Sequence, residues 1–136
     1  MTRTELDDEL PLLSVRTHDC DGVAVTEVSG EVDNSAHLVL DEIRAQLSSQ
    51  PAALVLDLRA VTYFGSSGLM ALVSSHQQAE RAEARLLVVA DQRSVLRPLA
   101  VTQVDQLVEV HPDVATAVAA AGRAAVPAPR SGTADN

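Results

Sequence analysis

With 136 residues the chain is long enough for one domain and too short for separate cofactor and substrate lobes. Nineteen acidic residues against ten basic ones leave a net charge of −9, which repels phosphate backbones and anionic lipid and argues against nucleic-acid and membrane-surface binding. All ten basic residues are arginine, which excludes Schiff-base chemistry and a P-loop lysine, and one Tyr, one Phe and no Trp leave no platform for stacking sugars or bases.

Residues 1–11 are acidic and polar, without the basic start and apolar run of a secretory signal, and are expected to be loose. A cytoplasmic protein is the default. Residues 14–17, a turn at residues 19–22 and the β-branched stretch 23–28, stopped by Ser29-Gly30, predict a hairpin of two strands. The lone Cys20 has no internal disulfide partner, and Asp19 and Asp21 disfavour its thiolate, so it is expected to be inert. Apolar residues at Ala36, Leu40, Ile43 and Leu47 predict an amphipathic helix, with Asp33, Asn34 or Ser35 available as its cap.

The nearly continuous aliphatic run 54–58 predicts a central strand covered on both faces. After a loop, Leu69, Leu72, Val73 and His76 give helical spacing to about Arg81, and residues 85–89 form a second buried strand, parallel to the first across a βαβ crossover. Ser94 opens a short helix in which Pro98 fits only near the first turn. Residues 106–110 predict a strand, and the stripe Val114, Ala117, Val118, Ala121 predicts a last helix from about Pro112 to a stop at Gly122. Residues 124–136 are an Ala, Pro, Gly and Ser tail, expected to be disordered. The expected architecture is one α/β domain over residues 12–123, order ββαβαβαβα, with a mixed four- to five-stranded sheet and helices mainly on one face.

In such sheets sites are built on the loops after the strand carboxyl ends, which points to residues 56–70. Ser66 and Ser67 stand where the next helix begins. One of them is either its N-cap or, at the positive end of the helix dipole, a hydroxyl that could carry phosphate. The Gly-x-Ser-x-Gly elbow of a hydrolase fails for both serines, since Leu69 follows Ser67 by two and Phe64 precedes Ser66 by two. Glu31 and Asp33 precede a helix whose positive end they face. His37 lies four residues from both Asp33 and Asp41; ion pairing on a solvated face is favoured over a metal site, so no metal or cofactor is expected. His18, His76 and His111 form no ligand spacing, and His76 reads as a partly buried packing residue.

The order ββαβαβαβα, Gly30-Glu31-Val32-Asp33, Leu56-Asp57-Leu58 and the helix start Ser66-Ser67-Gly68-Leu69 together resemble the STAS domain of bacterial anti-sigma factor antagonists, over about residues 12–121. The resemblance implies that Ser66 is phosphorylated by a partner anti-sigma factor that is itself a serine kinase. It also implies a metal-dependent serine phosphatase that reverses this, and a chain with no chemistry of its own. The partner-binding surface would comprise Glu31, Asp33, Gly65, Ser66, Ser67, Gly68, Leu69 and Met70, docking in the unphosphorylated state and so releasing a sigma factor. Gly65 stands where the family usually has aspartate, which leaves the loop without a carboxylate. That departure supports the alternative of a STAS module that is never phosphorylated, a scaffold or small-ligand sensor. Within the pair, Ser66 is expected to precede the helix and Ser67 to be the structural residue of its first turn. Gln103 stands where the family often has glycine, so a changed turn is expected there. The oligomeric state stays open, with a monomer slightly favoured.

Overall fold

Residues 12–122 are described by a computed structural model; the expectations for residues 1–11 and for the tail 124–136 lie outside them. Strand β1, Leu13–Cys20, pairs antiparallel with β2, Val23–Val32, and the pairing of Cys20 with Val23 leaves Asp21 and Gly22 as a two-residue turn. Both carry positive φ, 54° and 84°, as the right-handed twist of a tight hairpin demands, and Asp19 Oδ2 accepts the Gly22 N–H at 3.2 Å. Strands β3 (Ala53–Phe64), β4 (Arg85–Val89) and β5 (Glu109–His111) follow in parallel, giving one mixed sheet in the order β1-β2-β3-β4-β5.

Among the described residues four helices cover the sheet: α1 (His37–Leu47), α2 (Ser66–Arg81), α3 (Arg93–Val101) and α4 (Val114–Gly122). Leu54, Leu56 and Leu58 pack with Ile43, Leu72, Val95 and Leu99 of the first three helices, while Val55, Leu87 and Val89 meet Ala117 and Ala121 of α4. Coverage on both faces explains why β3 begins as an unbroken aliphatic run.

The strands nearest the site run further than expected. Ser29-Gly30 does not stop β2, and the loop expected after residue 58 is the second half of β3. Ser29 pairs with Ala60 and Glu31 with Tyr63 across two register shifts, so β3 carries extra residues that bend the ribbon without ending it. The first bulge displaces the Arg59 amide from the ladder. Asp57, only 5% exposed, captures it: Oδ1 accepts the backbone N–H at 3.1 Å, and the two carboxylate oxygens take Nε and Nη2 of Arg59 at 3.0 Å each. That side-chain hydrogen bond holds the Arg59 proton more firmly than usual.

Other expectations are corrected as well. The cap of α1 is Ala36, with no side-chain hydrogen bond. Asp33, Asn34 and Ser35 leave the task to the backbone, where Asp33 and Ser35 carbonyls accept the Ala36 and Leu38 amides. Pro98 is the sixth residue of α3, so it forfeits the bond to the Ser94 carbonyl and still does not end so short a helix. Gln103 takes the left-handed conformation, φ 63° and ψ 19°, so the turn keeps the backbone that a glycine would give it. Residues 104–106 form a 3-10 turn, and β5 begins only at Glu109, because the buried pair Val104 and Val108 is spaced for a turn and not for a strand. Val114 opens α4, where Asp113 Oδ1 caps the Thr116 amide at 2.7 Å.

Candidate functional site

The end of β2 and the end of β3 come together through the Gly65 amide, which donates to the Val32 carbonyl at 3.0 Å. This bond delivers the α2 start beside Asp33. Gly65 is the N-cap of the 16-residue α2, in extended backbone and with no side-chain cap hydrogen bond, and its carbonyl accepts the first helical bond from Leu69 at 3.0 Å. Ser66 and Ser67 are therefore the first two residues inside the helix, both exposed. The expectations that Ser66 precedes the helix and that one serine caps it are overturned. Amides of the first turn have no intrahelical acceptor and point outward with the positive end of the macrodipole. The two hydroxyls thus sit over uncompensated donors, the arrangement that favours an anion.

Because Ser67 caps nothing, Ser67→Ala is expected to change stability by less than about 0.5 kcal/mol, against about 1 kcal/mol for loss of a working cap. Urea titration of both proteins checks this. A loss above about 1 kcal/mol would restore Ser67 to a structural role.

Gly68 is buried, and a Cβ there would lie 3.0 Å from Phe64 and from Val32 Cγ1, so the first turn is pressed onto the ends of β2 and β3. Leu69 turns inward against the core, while Met70 stays 71% exposed. Between α1 and α2 runs a cleft of about 330 Å³, with Asp33, Asn34 and His37 on one side and Ser67, Met70 and Ser74 on the other. Glu31 is exposed at the end of β2, opposite Tyr63. Asp33, Gly65, Ser66, Ser67, Gly68 and Met70 are thus brought to one edge, with Glu31 beside them and Leu69 serving mainly as packing.

Gly65 is closely surrounded. A Cβ on it would lie 3.0 Å from Tyr63 Cε2, 3.1 Å from the Tyr63 hydroxyl and 3.2 Å from Asp33 Oδ1. The loop itself has no carboxylate, as expected, and Asp33 brings one from the neighbouring strand end close to residue 65. Tyr63, 52% exposed at the same place, was missed because it was read as part of a loop. Its being the lone tyrosine of the chain was the available signal. Asn34 and His37 were also missed as part of this edge; helical phase alone does not say which neighbour a solvated face meets. Asp33 and His37 share the cleft, but among the described residues no three His, Cys, Asp or Glu side chains are grouped to hold a metal. His76 is a packing residue, its side chain 15% exposed and 3.5 Å from Glu80.

Residues 14–117 match the STAS domain family. A crystal structure of an anti-sigma factor antagonist from Mycobacterium paratuberculosis superposes with a TM-score of 0.75 at 32% identity, covering 81% of this chain and 94% of that one. The anti-sigma factor antagonist SpoIIAA in its unphosphorylated form shares the fold, with a TM-score of 0.56 at 15% identity over 81% of this chain and 98% of that one. The anti-sigma-F factor antagonist RsfB of Mycobacterium tuberculosis is 37% identical over 67 residues, 48% of this chain. That match spans about half of the relative's own length, 55%.

Proposed function

The chain belongs to the STAS domain family, and from that premise we propose that it is an anti-sigma factor antagonist that works by reversible docking and performs no chemistry of its own. In the unphosphorylated state the edge formed by Glu31, Asp33, Gly65 and residues 66–70 binds an anti-sigma factor and frees a sigma factor. That partner is a serine kinase, phosphate on Ser66 ends the docking, and a metal-dependent serine phosphatase restores it. The observation that carries this reading is the pair of exposed hydroxyls on the first two residues of α2, neither used as a cap. Both serines are open, so the choice of Ser66 rests on its register in the family motif. A cytoplasmic location fits this role, and among the described residues no helix is long and apolar enough to cross a membrane.

The alternative of a never-phosphorylated scaffold or ligand sensor drew on Gly65 as the loss of a carboxylate. Asp33 lies beside Gly65 but belongs to the other half of the motif, so that argument stands and the experiment decides between the two readings. The test is transfer of labelled phosphate from the candidate anti-sigma kinase to wild type, Ser66→Ala and Ser67→Ala. Incorporation is expected to vanish only in Ser66→Ala. Full incorporation there would overturn the assignment, and no incorporation into wild type would favour the scaffold.

A further inference from the structure

We propose that the groove between the end of β3 and α3 is a docking surface for the chain's own acidic segment, residues 5–11. The groove encloses about 350 Å³ between Thr62, Tyr63, Arg93, Arg97, Pro98 and Val101. Its apolar parts are open to solvent, with Tyr63 52% and Val101 72% exposed. Arg93 and Arg97 stand one turn apart on α3 and therefore on the same side. Among the described residues neither pairs with a carboxylate, which is also true of Arg44 and Arg81, whereas Arg16, Arg59 and Arg85 each do. In a chain with nineteen acids and ten arginines, two such arginines beside an apolar strip are matched to something both acidic and aliphatic.

Residues 5–11 have that chemistry: Glu5, Asp7, Asp8 and Glu9 are interleaved with Leu6 and Leu10. They also start in the right place. The Leu12 carbonyl accepts the Glu31 amide at 2.8 Å, and Glu31 pairs with Tyr63 across β2 and β3. The segment therefore leaves the domain about 10 Å from Tyr63, two strand spacings away. Seven extended residues reach about 23 Å, enough to pass Tyr63 and lie along α3. A short tether supplies an effective concentration in the millimolar range, so even a contact with a millimolar intrinsic constant is about half populated. A free acidic peptide or the segment of another copy lacks that advantage.

The experiment uses the full chain with Cys20→Ser and a nitroxide on Thr4→Cys, read by amide resonance intensities. At low salt the amides of Tyr63 and of residues 93–97 and 99–101 are expected to lose at least half their intensity relative to the reduced label. Arg93→Glu/Arg97→Glu, both exposed positions, or about 0.5 M salt should restore it, since exposed charge pairs are screened within a few ångströms there. Changing Glu5, Asp7, Asp8 and Glu9 to Lys in that double variant should bring the broadening back. Undiminished groove resonances in wild type, broadening centred on another face, or broadening that survives the double substitution would each overturn the proposal. So would broadening seen only when isotope-labelled chains without nitroxide are mixed with unlabelled nitroxide-bearing ones, because the occupant would then be a second copy.

Discussion

Ser66→Asp is expected to weaken docking to the anti-sigma partner by about 30- to 5,000-fold while leaving the fold within about 1 kcal/mol of wild type. Residue 66 is the first of α2, over amides that have no helical acceptor. A carboxylate at that point gains about 0.3–1 kcal/mol from the helix dipole. The Asp33 carboxylate, 3.2 Å from where a Gly65 Cβ would stand, subtracts from this gain. Both groups are near solvent, so the net effect on folding is small.

At an interface the same charge must be desolvated against a surface shaped for a hydroxyl, at a cost of about 2–5 kcal/mol when it is left unpaired. Docking thus loses more than folding can gain. Titration calorimetry of wild type, Ser66→Ala and Ser66→Asp against the partner kinase, with melting curves for each, separates the two quantities. Equal affinities for the Ala and Asp variants would count against a charge switch at this serine. Aspartate carries less charge than phosphate, so the phosphorylated protein should show the larger loss.

Gly30→Ala is expected to cost about 2–4 kcal/mol of stability, the largest loss expected at any of the described glycines. Gly30 has φ 97°, and a Cβ there would lie 2.0 Å from the Leu12 carbonyl oxygen and 3.0 Å from its carbon. Those are backbone atoms, which cannot swing aside as a side chain can. Relief requires β1 to withdraw, and with it the bond from the Glu31 amide to the Leu12 carbonyl, worth about 1 kcal/mol. Gly22→Ala is the control, because φ is 84° there but nothing lies within 4 Å of the added methyl. It should show only backbone strain, about 1–2 kcal/mol. Chemical denaturation of both variants isolates the steric part. Equal losses would mean that β1 and β2 separate at no cost at Gly30.

The local pattern of residues determined much of this. Aliphatic runs at residues 54–58 and 85–89 marked buried strands, the Asp- and Gly-containing turn at residues 19–22 between two β-branched stretches marked a hairpin, and the crossover between the runs implied parallel pairing. Ser66-Ser67-Gly68-Leu69 also marked the helix start that carries the candidate site. These are short-range properties, and one stretch of chain expresses them whatever it later meets.

What tertiary structure alone decided is how the ends of those elements meet. Residues 59–64 lack the two-residue alternation of a half-buried strand, although Val61-Thr62-Tyr63-Phe64 are strand-forming types, and they are held extended because β2 continues beside them across two bulges. Gln103 accepts a left-handed backbone because packing on either side of it outweighs a local preference of about 1–2 kcal/mol. Ser67 lies in the first turn as expected, but the cap falls to Gly65 and not to either serine, since the bond from Gly65 to Val32 fixes where α2 begins. The carboxylate nearest residue 65 is that of Asp33, 32 positions earlier, because parallel β2 and β3 end side by side. Contacts between strand ends far apart in sequence have no periodicity to read. They exist only once the sheet has set the register.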